Sequence, residues 1–227
     1  LEKNGCTYVV GGNIYFDTSK VKNYGQLGGI SSKLRSRTGV DKNKKSPADF
    51  VLWFTKSKFQ DQEMKWDSPW GKGYPGWHIE CSAMATKYLG NQFDIHAGGE
   101  DLAHIHHNNE IVQTESATGK SPWVKYWIHG AFLVTNKEKM SKSKGNILTI
   151  NKLLEKKYDP LDFRYLNLLT HYRKQLMFSW DALDSAKNGR EKIVSKVLEI
   201  YSDKPSNIVT GKPYLDEFYS AIKNDLN

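Results

Sequence analysis

Phe93-Asp94-Ile95-His96-Ala97-Gly98-Gly99-Glu100-Asp101-Leu102 is the stretch on which the fold turns. Phe93 to Ala97 predicts a short buried strand that ends in Gly98-Gly99, and Asp101 to Ala117 predicts a helix. His78 to Leu89 reads as a helix before this stretch, and Tyr126 to Val134 as a strand after it. Such alternation is the pattern of a parallel sheet with helices packed on it, so the fold class is α/β.

Upstream, Thr7-Tyr8-Val9-Val10 and Asn13-Ile14-Tyr15-Phe16 flank Gly11-Gly12, a hairpin signal. Phe50 to Phe54 predicts a buried strand or a short helix, and the lysine-rich segment Asp41 to Ser46 a solvated turn. Gly71-Lys72-Gly73-Tyr74-Pro75-Gly76 spells the dinucleotide pattern G-x-G-x-x-G. No apolar strand precedes it, and Pro75 is expected to interrupt the turn where a helix should open, so that reading is rejected. Beyond residue 147 the periodicity is helical, around Leu153–Lys157, Asp162–Tyr172, Ala182–Ile200 and Leu215–Leu226.

The 227 residues suffice for one large domain or two smaller ones. With 38% hydrophobic and 26% charged residues, and no run near the roughly 18 apolar residues of a membrane helix, membrane-embedded, collagen-like and disordered classes are excluded. A net charge of +8 favours a polyanionic partner. Lysine carries most of it, which suits phosphate more than base readout. Cys6 and Cys81 are too few for a disulfide framework, so a reducing, cytoplasmic compartment is expected. The chain opens on Leu1 without a Met and stops inside a helical pattern, which predicts a piece of a longer polypeptide.

Three constellations carry chemistry. In His106-His107-Asn108-Asn109-Glu110, the helix period puts His106 and Glu110 on one face. Cys81 lies on the preceding helix, and Cys, His and Glu together suit zinc. The alternative is a His/Asn cluster bonding its own loop, and Cys6 reads as a small strand residue, not a convincing fourth ligand. Gly98, Gly99 and Asp101 stand where ligands bind in open α/β sheets, with the carboxylate suited to ribose hydroxyls. A plain turn is the alternative. Lys139-Met140-Ser141-Lys142-Ser143-Lys144-Gly145-Asn146 offers movable ammonium groups and hydroxyls to a triphosphate, or is one more lysine-rich loop.

Lys139-Met140-Ser141-Lys142-Ser143 resembles the signature loop of class I aminoacyl-tRNA synthetases. Gly76-Trp77-His78-Ile79-Glu80-Cys81-Ser82-Ala83-Met84, Phe93-Asp94-Ile95-His96, Gly98-Gly99 with Asp101-Leu102, and His106-His107 with Glu110 narrow the resemblance to cysteinyl-tRNA synthetases. It extends to Tyr15-Phe16-Asp17 and Asp49–Trp53 upstream and to Ala221–Asn227 downstream, nearly the whole chain.

The resemblance implies the second half of a Rossmann-like catalytic domain, with a small β-rich insertion before it and a helical region after it. In segments, 1–70 is the remainder of a connective insertion and 71–135 the second half of the nucleotide-binding domain. Residues 136–200 are the signature-loop and stem-contact region, and 201–227 begin a helical bundle. It implies zinc on Cys81, His106 and Glu110, with a further cysteine from an amino-terminal half, Trp77 walling the amino-acid pocket, and His78 and His96 beside it. Gly98, Gly99 and Asp101 are then expected on adenosine, and Lys139 and Lys142 on the triphosphate. Implied partners are L-cysteine, ATP with magnesium, and tRNA(Cys), with a monomer and no membrane.

The family's His-Ile-Gly-His motif occurs nowhere in these 227 residues, so the segment is expected to be inactive alone. Asn108 stands where an acidic residue is common in relatives and is expected to point away from the ligands. Two other readings share the same residues: a cysteine ligase acting on an amino-sugar, and a non-catalytic zinc or nucleic-acid-binding module.

Overall fold

The computed structural model describes residues 1–28, 44–58, 61–135, 138–139 (backbone only), 148–202 and 211–226. It falls into two compact units, Leu1–His129 and Gly130–Asn227.

The first unit opens with an antiparallel sheet ordered β1 (Thr7–Val10), β2 (Asn13–Phe16), β3 (Phe50–Phe54) and β4 (Tyr74–Pro75). The expected hairpin is present. Val10 pairs with Asn13 across Gly11 and Gly12, whose φ values of 61° and 91° match the twist of a two-residue turn. Phe50–Phe54 resolves to a strand.

Gly73 and Gly76 have a packing reason. A Cβ on Gly73 would lie 2.0 Å from the Phe54 carbonyl oxygen, and one on Gly76 1.9 Å from that of Val51. They let β4 press against β3. The expectation that Pro75 keeps a helix from opening is corrected: Pro75 ends β4, and α1 (Trp77–Leu89) starts directly after Gly76. Proline is tolerated in so short an edge strand, outside the helix's first turn.

Next come β5 (Phe93–Gly99), α2 (Glu100–Ala103), α3 (His106–Thr118) and β6 (Val124–Gly130). β5 and β6 pair. Phe93 N–H donates to the Trp123 carbonyl at 3.2 Å, so the strands start side by side, as a helical crossover requires. Three expectations are corrected here. β5 is not a buried strand: Ile95 is 58% exposed, because among the described residues β5 pairs only with β6. The single helix from Asp101 to Ala117 is broken at Ile105, whose ψ of −62° at φ −125° leaves the helical region. The single strand Tyr126–Val134 is interrupted after Gly130 and resumes in a different sheet.

α3 is the pillar of this unit. Val112 packs into one apolar cluster with Cys6, Ile14, Phe16, Phe50 and Leu52. Ile111 packs into another with Trp123 and Val124.

The second unit holds β7 (Leu133–Thr135), β8 (Glu138–Lys139), α4 (Ile150–Glu155), α5 (Pro160–Leu168), β9 (Leu176–Phe178), α6 (Trp180–Ser202) and α7 (Lys212–Lys223). β7 lies between β8, antiparallel, and β9, parallel. β9 escapes the sequence reading because three residues are too short for a period. α5 ends earlier than expected, at Leu168, and opens on a capping box of Asp159 and Asp162 with Pro160 in its first turn. Leu153, Leu166, Phe178, Leu183 and Ala186 form the core. Among the described residues, no helix is long and apolar enough to cross a membrane.

Candidate metal and nucleotide site

The first nine residues of α3, His106 to Thr114, are all buried, and seven of them are polar. Buried polar groups need partners, and most have them. Asn108 accepts from Leu27 N–H at 3.0 Å and donates to the carbonyls of Ala103 (2.9 Å) and His104 (3.1 Å). It thus ties the helix start to a neighbouring loop and points away from Glu110, as expected. Asn109 accepts from the Tyr24 hydroxyl at 2.6 Å.

The Gln113 amide oxygen and the Thr114 hydroxyl lack a partner, and Glu110 is the charged exception. It is fully buried, and neither carboxylate oxygen has a hydrogen-bond partner. His106 Nε2 lies 3.6 Å from Oε1, while His96 Nε2 and His107 Nε2 lie 3.5 and 3.9 Å from Oε2. Cys81, on α1, completes a set: one donor atom each from Cys81, His106 and Glu110 lie within 4.8 Å of one another. The three residues singled out as ligands are therefore brought together from two helices. Donors of these types at this separation fit a zinc ion, and a cation there would give the orphaned carboxylate its partner.

Burial pushes the Glu110 carboxyl up to about 8, with the neighbouring Cys81 thiol drawing it slightly back. Burial also pushes that thiol up to about 11, reinforced by the carboxylate. Imidazoles respond in the opposite sense. Burial first, and nearby imidazoles second, press His78 and His107 down to about 3 and His106 to about 4. These rings are neutral at pH 7, the state in which imidazole binds metal.

His78 Nδ1 lies 2.8 Å from His106 Nδ1, so one of the two carries the shared proton. If His106 offers Nε2 to a cation, its Nδ1 must donate to His78. Trp77 lies against the His106 ring at 4.3 Å and stays half exposed. Trp77, His78, His106 and Asp101 share a cleft of about 420 Å³ with Tyr24, Phe50 and Asn109. His96 sits on the other side of Glu110, stacked on Trp127 at 4.8 Å.

Gly98, the penultimate residue of β5, lies against His107: a Cβ there would lie 2.7 Å from Cε1 of that ring. Its lack of a side chain is thus required by packing, whatever approaches the backbone from outside. Gly99 precedes α2 at its N-terminus, and Asp101 is exposed in the first turn. For the signature loop, Lys139 contributes backbone to β8, while its side chain and all of Lys142 lie outside the described residues.

Sequence reasoning missed His129, Trp127 and Gln113, and left His107 without a role. His107 Nδ1 is 2.8 Å from His129 Nε2. Trp127 stacks on His96 and tilts against His107, at 4.8 Å from each, and the two imidazoles meet each other at the same distance. The signal was the strand period: residues 127 and 129 must share a face of β6, just as 96 and 98 share one of β5.

An α/β unit whose strand ends in Gly-Gly beside a buried Cys/His/Glu set, followed in sequence by Lys-Met-Ser-Lys-Ser, has the composition of a class I aminoacyl-tRNA synthetase catalytic domain. The family model for the tRNA synthetases class I (C) catalytic domain matches residues 1–188, and the chain belongs to that family. It is 56% identical over 233 residues to a cysteine–tRNA ligase of Treponema denticola, covering all of this chain and 45% of that protein. A cysteine–tRNA ligase of Borreliella afzelii is 44% identical over 244 residues, again over the whole chain and 51% of the relative. One of Treponema pallidum is 43% identical over 225 residues, covering 88% of the chain and 43% of the relative. The chain thus spans about half the length of these relatives.

Proposed function

We propose that this chain is the part of a cysteine–tRNA ligase that selects cysteine and holds ATP. The observation that carries the reading is Glu110, buried without a partner and within reach of Cys81 and His106 donors. Zinc held there supplies a soft Lewis acid that prefers a thiolate to a hydroxyl. Serine differs from cysteine by one atom, and shape alone discriminates poorly against such an isostere.

The chain's own residues do the rest by positioning. Trp77 walls the amino-acid pocket, His78 fixes the tautomer of His106, and His96 supports Glu110 from its far side. Asp101 meets the ribose, and the backbone at Gly98 and Gly99 admits the adenosine. Lys139 and Lys142 neutralise charge on the triphosphate of magnesium-bound ATP as it builds. The cysteine carboxylate attacks the α-phosphorus, an acyl–oxygen–phosphorus bond forms, and pyrophosphate leaves with the electron pair. A terminal ribose hydroxyl of tRNA(Cys) then attacks the acyl carbon, the new ester bond forms as the bond to the phosphate oxygen breaks, and AMP leaves with the electron pair while the hydroxyl proton is released. Lysines beyond residue 150 contact acceptor-arm phosphates. Residues 1–70 act as insertion, 71–135 as nucleotide-binding half, 136–200 as signature loop and stem contact, and 201–227 as the start of the helical bundle. The protein works in the cytoplasm as a monomer.

ATP–pyrophosphate exchange tests this reading. The 227 residues lack His-Ile-Gly-His, so alone they are expected to give none. Joined to a family amino-terminal half, they are expected to give exchange with cysteine and not with serine. No exchange from the joined protein would sink the activation chemistry and leave a non-catalytic module. Exchange with transfer to an amino-sugar in place of tRNA(Cys) would identify the related ligase.

A further inference from the structure

We propose that Gln113 is a positioning residue that sets the register between the helix carrying Cys81 and the helix carrying His106 and Glu110. The proposal rests on the zinc reading above. Gln113 is fully buried, three residues beyond Glu110 on α3. Its amide nitrogen lies 2.6 Å from the carbonyl oxygen of His78 and 2.6 Å from the hydroxyl of Ser82. A carbonyl only accepts, so the nitrogen's assignment follows from chemistry. His78 and Ser82 are one turn apart on α1, and Cys81 lies between them in sequence. One amide therefore grips the turn that presents the thiol.

The grip is directional. In α1 the His78 carbonyl already faces the Ser82 N–H of its own helical ladder, and Gln113 takes the second lone pair. The ring of the same His78 makes a second link to α3, with Nδ1 at 2.8 Å from His106 Nδ1. Both links hold the turn that carries Cys81. Without the amide, α1 is free to rotate or slide by a fraction of an ångström, and metal donors tolerate only about 0.2 Å.

The amide oxygen of Gln113 has no hydrogen-bond partner. An apolar side chain of equal length would fill the same volume and remove that unpaired oxygen, but it would take the donor away from the His78 carbonyl and the buried Ser82 hydroxyl. What the amide adds is the link to α1.

The test uses the 227-residue chain, with Co2+ as the probe in place of zinc and the thiolate-to-cobalt charge-transfer band as readout. Gln113→Met, close in length, is expected to weaken Co2+ binding about ten- to a hundredfold and to lower that band. Ser82→Ala removes one of the two arms, is expected to shift both readouts less in the same direction, and serves if Gln113→Met does not fold. Leu183→Ala, a destabilising change in the core of the second unit, should leave the band intact. In the zinc-free chain, alkylation of Cys81, followed on its own peptide, should be faster in Gln113→Met than in the parent. Wild-type affinity, band and alkylation rate in Gln113→Met overturn the proposal, as does an equal loss of band in Leu183→Ala. If the parent itself shows no thiolate band, Cys81, His106 and Glu110 do not hold the metal without the amino-terminal cysteine, and the alkylation rates alone decide whether Gln113 holds the turn.

Discussion

Helices α3 and α6 make opposite use of their residues. α3 buries nine consecutive positions, only two of them apolar. α6 runs for 23 residues and buries just Leu183 and Ala186, leaving Val197, Leu198 and Tyr201 exposed. Hydrophobic burial stabilises any fold, whereas burial of histidines, asparagines and a carboxylate is costly unless each is bonded. A helix that buries its polar residues is arranged around a chemical task. One that exposes an apolar stripe is anchored at one end only among the described residues.

The largest effect expected is at the centre of α3. Glu110→Ala should abolish zinc binding, measured by equilibrium dialysis; retained stoichiometric binding would break the contrast, since the unpartnered carboxylate would then have no task. On α6, Leu183→Ala should cost about 2–5 kcal/mol in urea unfolding, as a cavity in a packed core does. Asn108→Ala should cost about 1–3 kcal/mol, because it leaves the part-buried Leu27 N–H unpaired; no measurable loss would mean that water replaces the amide.

The pH dependence sharpens the same point. His78, His106 and His107 have folded-state values pressed from 6.5 to about 3 or 4, so their contribution is full above 6.5 and is lost as pH falls. Glu110 works in the opposite direction: its folded value is raised from 4.5 to about 8, so stability is lost as pH climbs between those values. The zinc-free chain should be most stable near pH ~6.5, where the three-imidazole slope gives way to the single carboxyl slope. Glu110→Gln should flatten the alkaline side and steepen the acid side between 4.5 and 6.5, as chemical unfolding at several pH values would reveal. Smallest of all, Leu198→Ala on the exposed stretch of α6 should change stability by no more than about 0.5 kcal/mol. A loss comparable to Leu183→Ala would mean that this face is covered in solution.

Much of the fold and of the site is legible in the amino-acid sequence. The hairpin at Gly11-Gly12, the helix bearing Cys81 and the one-face placement of His106 and Glu110 all follow from local periods and turn chemistry. Other features are not. The break at Ile105 and the strand change after Gly130 carry no punctuating Pro or Gly pattern strong enough to locate them. The depth of α3 is invisible for a sharper reason: a helix of His, Asn, Glu and Gln has the composition of a solvated surface, and its burial comes from neighbours on both sides.

By itself, the sequence determined the residue types, their helical and strand periods, and the motif spelling that places the chain in its family. Only tertiary structure decided that Cys81 stands beside His106 and Glu110, that His107 and His129 pair behind Gly98, and that Gln113 bridges to the turn holding the thiol. Periodicity specifies which face of an element a residue occupies. Which faces then meet across some thirty residues of chain depends on how the helices and strands pack, and that is settled by the whole unit at once.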